Sequence, residues 1–243
     1  MSRVIKHPKT GQEFLLDTQY AGDNPFHGAV RSSAKARKYI VVHHTAGNTA
    51  GDLLVLRGRS GVHVSVKYLV SDPGDGAYRD SNKRLVIWQL LNDEVIGWSI
   101  GATTGTYGYV ENANSDSIEI SNLGTGKDVF EAEQVAAVEA LIAYEEKRVG
   151  AEVSVFGHRE VAPGRKVDPH TDFPLDKVQD FAAWVHPGTE DDMAAKNHLI
   201  QAFVRPEQVP AVTAALADLG VRVYDVDVDK VRITRKNPSG TAQ

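Results

Sequence analysis

The chain contains no cysteine. That one absence excludes disulfides, thiolate nucleophiles and cysteine-built structural zinc sites. Any metal must be held by imidazole and carboxylate, a donor set that favours a catalytic over a structural site. Without a disulfide framework, folding does not depend on the redox compartment, so the chain can work outside a cell as well as inside one. Long hydrophobic runs are missing too. None approaches the roughly 20 apolar residues that span a bilayer, and no membrane insertion is expected. The opening Met1-Ser2-Arg3-Val4-Ile5-Lys6-His7-Pro8 lacks the apolar centre of an export signal, so residence in a cytoplasm is expected. Basic residues are scattered and the formal net charge is −5, which gives no footing for a nucleic-acid partner.

With 243 residues, 42% hydrophobic and 24% charged, the chain can bury one good core and carry a small appendage. Lys38 to His43 is a β-branched apolar run that predicts a central strand. Val62 to Val70 alternates and predicts a second, and Arg84 to Leu91 a third. Asp116 to Ser121 reads as a fourth strand, with Ile118 and Ile120 on one face and Ser117, Glu119 and Ser121 on the other. Asp128 with Glu131 reads as a capping box ahead of a helix in which Val135, Val138, Leu141 and Ile142 recur at helical spacing. Glu152 to Phe156 then leads as a strand into His158. This alternation predicts an α/β fold, one mixed central β-sheet flanked by helices.

Residues 1–36, with turn signals at Pro8-Lys9-Thr10-Gly11 and Gly22-Asp23-Asn24-Pro25, read as an irregular extension wrapped on a catalytic domain over 37–186. Composition shifts at His186 to Asp192, so 187–195 reads as a linker. Beyond it, 196–243 reads as a small β-α-β-β unit, with strands over 199–204, 221–228 and 231–234 and a helix over 206–219. At about 50 residues such a unit is marginal as an independent fold. Its charges roughly balance, which gives no compositional support for attraction to an acidic polymer. Wall binding, self-association and capping of the catalytic domain stay open for it, as does the oligomeric state.

The chemistry concentrates in Gly157-His158-Arg159-Glu160-Val161-Ala162-Pro163-Gly164-Arg165-Lys166-Val167-Asp168-Pro169, a segment read as neither regular helix nor strand. It can aim an imidazole and a carboxylate at one point, with a cation close by. Far upstream, Val41-Val42-His43-His44-Thr45 ends an apolar run on a histidine. A hydrolytic zinc takes three protein ligands and keeps a fourth position for water. Two neutral histidines and one carboxylate suit it, and the set read here is His43, His158 and Asp168.

The string His-x-x-x-x-Pro-Gly-Arg-Lys-x-Asp-Pro resembles the closing motif of the zinc-dependent N-acetylmuramoyl-L-alanine amidases. These form the amidase-2 and peptidoglycan-recognition-protein superfamily, which includes many phage endolysins. Val-Val-His-His-Thr-Ala-Gly over 41–47 is similar to that family's opening motif, and the resemblance covers roughly 37–185. It implies an amidase-2-like fold, a Zn2+ cofactor, peptidoglycan as partner, and hydrolysis of the amide joining N-acetylmuramic acid to L-alanine. In related enzymes the first histidine of the opening pair binds zinc, here His43. On a strand His44 points to the opposite face and cannot share that ion; packing or a hydrogen bond to the sheet is expected of it.

The resemblance also implies Glu119 as general base and Lys166 as the group that stabilises charge on the tetrahedral intermediate. The family's Asn-x-x-Ser/Thr-Ile-Gly-Ile-Glu is met by Asn112 to Glu119 at its ends but with Asp116 at an apolar position. A register two residues later would put Ser121 at the acidic position; strand alternation favours Glu119. Arg165 and Glu160 are expected to brace the loop by pairing with each other or with the ligands' surroundings. Where the family strand carries His or Asn, Lys67 stands, which predicts a charge near the cleft. A hydroxyl some members supply is missing at Val66. Trp98-Ser99-Ile100-Gly101 lacks the family's histidine, and Trp98 either lines the cleft or sits in the core. His63 and His170 are read as non-ligands, His170 at the cleft rim. Lysis by an endolysin held in a host cytoplasm until release to the cell wall is the leading expectation. A cytoplasmic wall-recycling amidase and a non-catalytic peptidoglycan-binding module are the alternatives.

Overall fold

The computed structural model describes residues 2–31, 33, 37–185, 200–202, 221–227 and 230–235. Residues Met1 to His186 and Pro187 to Gln243 separate into two compact units. In the first, seven strands form one sheet: β1 (Arg3–Lys6), β2 (Glu13–Asp17), β3 (Tyr39–His44), β4 (Tyr68–Val70), β5 (Val86–Gln89), β6 (Ser115–Ile120) and β7 (Ser154–Gly157). Their order is β1-β2-β5-β4-β6-β3-β7. The run β4-β6-β3-β7 is parallel throughout, while β5 opposes β4 and β1 opposes β2, so the sheet is mixed as expected.

The N-terminal residues depart from expectation. They are not simply an irregular wrap, because β2 pairs in parallel with β5 and extends the sheet. Phe14 and Leu16 explain it: both are wholly buried, and their alternation over five residues gives β2 a core face. The second expected strand shortens to β4. Ahead of it, Ser65 N–H donates to the carbonyl of Trp98 rather than to a neighbouring strand, and Val62 stays exposed.

Two helices, α2 (Ala132–Val149) and α4 (Leu175–Val185), bury Val135, Val138, Leu141, Ile142 and Val178 against Ile40, Val42, Ile118 and Ile120. Helix α2 begins at Glu131, boxed with Gln134, three residues later than the Asp128 cap expected. Asp128 instead closes the preceding loop, accepting from Leu123 N–H at 2.6 Å. The opposite face is covered more thinly, by α1 (Thr49–Leu56) over Leu69, Trp88 and Leu90, and by loops around Val41 and Ile100. Central strands covered on both faces read as apolar runs, as β3 does. Side chains that leave this second face near the strand ends find room for chemistry.

In the second unit, β8 (Ile200–Ala202), β10 (Lys230–Arg235) and β9 (Val221–Asp227) form an antiparallel sheet in that order. These fall on the three strands expected there; the expected linker and the helix over 206–219 lie outside the described residues. Among the described residues no helix is long and apolar enough to cross a membrane.

Candidate metal centre

Three neighbouring parallel strands deliver the site at their C-terminal ends, where open α/β sheets form crevices. Glu119 on β6 is the Cα partner of His43 on β3, and Val42 is the partner of Gly157 on β7. His158 therefore emerges beside His43. It opens a single helical turn, α3 (His158–Val161), so the segment expected to lack regular structure does contain one turn of helix. The chain then doubles back, and Arg159 N–H donates to the carbonyl of Asp168 at 2.7 Å.

This return brings the three expected ligands together. Asp168 Oδ2 lies 3.0 Å from His43 Nδ1 and 2.9 Å from His158 Nδ1. One donor atom from each residue falls within 4.8 Å of the others. Both imidazoles are buried, whereas the Asp168 side chain keeps 13% of its surface exposed, which leaves the group open on one side.

The donor set calls for a cation. His158 Nε2 sits 2.9 Å from the carbonyl oxygen of Ile100, which can only accept, so the proton is assigned to Nε2. In the neutral ring Nδ1 is then a lone pair facing a carboxylate oxygen, and two acceptors at that distance require positive charge between them. His43 also has a ring nitrogen left unmet. Burial holds its pKa down to about 4, with the nearby His158 and Lys166 adding to the effect, against the opposing pull of Asp168. In neither neutral tautomer is this ring satisfied. With the proton on Nδ1, the buried Nε2 has no donor; with it on Nε2, Nδ1 faces the carboxylate and the N–H lacks an acceptor. For Asp168, burial alone would raise the pKa, but the facing imidazoles of His158 and His43 outweigh it and hold the carboxyl well below the usual range. Two neutral imidazoles and an ionised carboxylate suit a divalent ion such as zinc.

Glu119 lies next to this group. Its pKa is pushed well above the ordinary carboxylate value, first by burial and then by Asp168 and Asp52, with Lys166 opposing. Its Oε2 is sealed from solvent and has no hydrogen-bond partner. Lys166 is partly exposed and close enough to act on the charge of both His43 and Glu119. Ser121 is committed elsewhere, since its hydroxyl donates to Asp52 Oδ2 at 2.7 Å and its carbonyl accepts from Gln134 Nε2.

Trp98 is 48% exposed, which removes the core alternative. It lines a cleft of about 620 Å3 with Ile96, Gly101, Thr103 and Asn112. His170 is about one-third exposed, pairs with Asp172 at 2.6 Å, and stands outside the ligand group. His63 stacks on Phe26.

Lys67 is the main correction. It is 1% exposed and its Nζ lies 3.1 Å from Asp116 Oδ2 and 3.3 Å from Glu145 Oε1. The charge predicted near the cleft is sealed in a buried ion network instead, which also takes in Arg31 and Arg37 on Asp116. Nor do Arg165 and Glu160 pair with each other. Arg165 Nη2 donates to the carbonyls of Ile100 and Ala102 at 2.6 and 2.7 Å, so the oxygen that orients His158 is itself held. Glu160 accepts from Gly157 N–H and Gln179.

Sequence reasoning missed Asp52. It is buried, accepts from Thr45 Oγ at 2.8 Å as well as from Ser121, and crowds Gly47 so closely that a Cβ there would fall 2.3 Å from its Oδ1. Thr45 and Gly47 of the opening motif were the available signal: a hydroxyl and a missing side chain two residues apart imply a partner packed against both.

A family model described as N-acetylmuramoyl-L-alanine amidase, Amidase_2, matches residues 33–171, more than half of the chain. The chain belongs to this family. The matched span contains His43, Glu119, His158, Lys166 and Asp168. The N-acetylmuramoyl-L-alanine amidase AmiD of Escherichia coli K12 is 29% identical over 203 residues, covering 79% of this chain and 68% of AmiD. Among solved structures, AmpDh3 from Pseudomonas aeruginosa matches with a TM-score of 0.52 at 20% identity, over 82% of this chain and 73% of that one. Its complex with anhydromuramic pentapeptide matches with a TM-score of 0.50 at 24% identity, over 65% and 64%. These two likenesses establish the amidase-2 fold.

Proposed function

We propose that this amidase-family chain is a zinc-dependent hydrolase acting on peptidoglycan at the amide between the lactyl group of N-acetylmuramic acid and L-alanine. The observation that carries the reading is the convergence of His43, His158 and Asp168 on one point, where two buried imidazoles and a carboxylate present a donor set that a divalent ion would satisfy. Those three residues would hold the ion. When bound in such a set, zinc polarises a carbonyl and brings the pKa of water from 15.7 towards about 7.

The chain's own side chains supply the proton traffic. In this reading Glu119 Oε2 accepts a proton from the attacking water and hands it to the departing amine nitrogen. Its partnerless oxygen and its raised pKa support that role, because a more basic carboxylate takes a proton from water more readily and can then hand it on. The Lys166 ammonium counters the negative charge that grows on the carbonyl oxygen. Trp98 offers an exposed indole to the substrate, and the part-exposed His170, two residues from Asp168, would stand at the rim of the ligand group. A non-catalytic binding module would need neither a partnerless carboxyl beside the ligands nor an open side to the ion.

Mass analysis of purified peptidoglycan digested with and without a chelator tests this. Newly freed L-alanine amino termini are expected, and they should vanish with chelator. Unchanged wall, or cleavage at a glycosidic bond, would refute the reading. Comparing intact sacculi with soluble muropeptides then separates wall lysis after release from a host cytoplasm from the turnover of wall fragments.

A further inference from the structure

β3 ends in two histidines that point to opposite faces of the sheet. His43 faces the metal centre. His44 faces the other side, where its ring lies 6.4 Å from Phe130, part of the core beneath α2. Segment 168–170 passes round the end of the strand and touches both. Asp168 Oδ2 lies 3.0 Å from His43 Nδ1 on one face, and His170 N–H donates to His44 Nδ1 at 3.0 Å on the other. The strand end is gripped from two sides by residues only two apart.

His44 is held in that pose from above. A Cβ at Gly124 would fall 2.1 Å from His44 Nε2, and one at Gly126 would fall 2.9 Å from His170 Cε1. Both glycines have positive φ, 64° and 69°, so the loop reaches this approach with a backbone that other residues rarely adopt. Asn122 and Asp128 tie the loop shut through Asn122 Nδ2 to the Asp128 carbonyl at 2.9 Å. On the near side Arg159 holds the carbonyls of Asp168 and Pro169. The tie from His170 N–H to His44 secures the far side.

We propose that His44 is a positioning residue: by fixing the backbone just beyond Asp168, it sets that carboxylate against His43 and His158 without touching the ion. The inference rests on the metal reading above. His44→Phe keeps an aromatic ring but removes the acceptor. His44→Asn restores one, because Asn Oδ1 and His Nδ1 are each one bond from Cγ. Two quantities are read: hydrogen exchange of the His170 amide in chelator-treated protein, and zinc affinity by competition with a chromophoric chelator. His44→Phe should exchange the amide at least about tenfold faster and bind zinc about tenfold more weakly, at the low end of what outer partners of a metal site contribute. His44→Asn should recover most of both. If His44→Phe does not fold, Gly124→Ala, which displaces the ring instead of removing it, should show the same two changes. Wild-type exchange or wild-type affinity in His44→Phe, or no recovery in His44→Asn, would overturn the proposal. If the wild-type protein takes up no zinc, the metal reading fails by itself, and the exchange rates still decide whether His44 holds the loop.

Discussion

His43 and Glu119 are Cα partners across the parallel pair β3 and β6. Partners in adjacent strands share a face and sit about 4.8 Å apart. The carboxyl is thus held beside a proposed ligand by the backbone ladder and not by a loop. That placement gives the site its asymmetry: one carboxyl, Asp168, is favoured as an anion by two imidazoles, and the other, Glu119, has its pKa raised by burial.

The contrast predicts how the two candidates for the proton carrier differ. Glu119→Gln keeps shape and hydrogen-bonding capacity but cannot carry the proton, so zinc content should stay near one per chain while kcat falls roughly 10^2- to 10^4-fold. Ser121→Ala removes only a hydroxyl bonded to Asp52, and kcat on soluble muropeptides should stay within about threefold. The opposite pattern would mean that the register two residues later is the functional one.

Much of this was legible beforehand, because the residues concerned obey short-range rules. Alternation in β6 separates Ile118 and Ile120 from Glu119, and helical spacing marks the buried face of α2. The closing motif carries two ligands within eleven residues. What was not legible depends on distant partners. β2 is only five residues long, and its membership of the sheet rests on pairing with β5, some 70 residues on. Asp52 looks like an ordinary acid in the first turn of a helix until Thr45 and Ser121 close on it. Lys67 and Asp116 each depart from the family pattern, and each alone looks anomalous. Together they are an ion pair across 49 positions, so one departure accommodates the other.

Lys67 therefore contributes to folding rather than to substrate binding. Lys67→Met removes one of the cations that face Asp116 and Glu145 in a buried setting; Arg31, Arg37 and Arg148 remain, so the cost should lie at the low end of the about 3–5 kcal/mol that a broken buried pair carries. For a domain of this size that lowers the melting temperature by roughly 10 °C. At temperatures where the variant is folded, KM and kcat should match the wild type. A raised KM with an unchanged melting temperature would return Lys67 to the cleft.

Gly47 is required by space. The Cβ of Gly47→Ala would lie 2.3 Å from Asp52 Oδ1, an atom on a short side chain already anchored by Thr45 and Ser121. Something must move, and such overpacking typically costs about 1–3 kcal/mol. Urea denaturation of the metal-free variant should show that loss. Pairing it with Asp52→Ala should recover part of it, since the second change removes the obstructing atom. Equal destabilisation with and without Asp52 would show that the strain lies elsewhere.

In the metal-free protein His43 should contribute a gain in stability as pH rises from about 4 to 6.5, against an opposite contribution from Glu119 and Glu145, whose carboxyl pKa values burial raises. His43 has an ordinary pKa of 6.5 that burial lowers to about 4 in the folded chain. Between those values the unfolded chain binds a proton at this position and the folded chain does not, so acidification favours unfolding. One group contributes at most one proton, or about 1.4 kcal/mol per pH unit. Asp168, with its pKa lowered from 3.8, adds a further loss below that window as pH falls towards its folded value. Urea denaturation in the presence of chelator at pH 4.5, 5.5 and 6.5 measures the slope, which in His43→Asn should be lower than in the wild type by up to about 1.4 kcal/mol per pH unit. Equal slopes in the wild type and His43→Asn would mean His43 is protonated in the folded chain. The positive charge between the imidazole and Asp168 would then be a proton, and the case for an ion there would lose its footing.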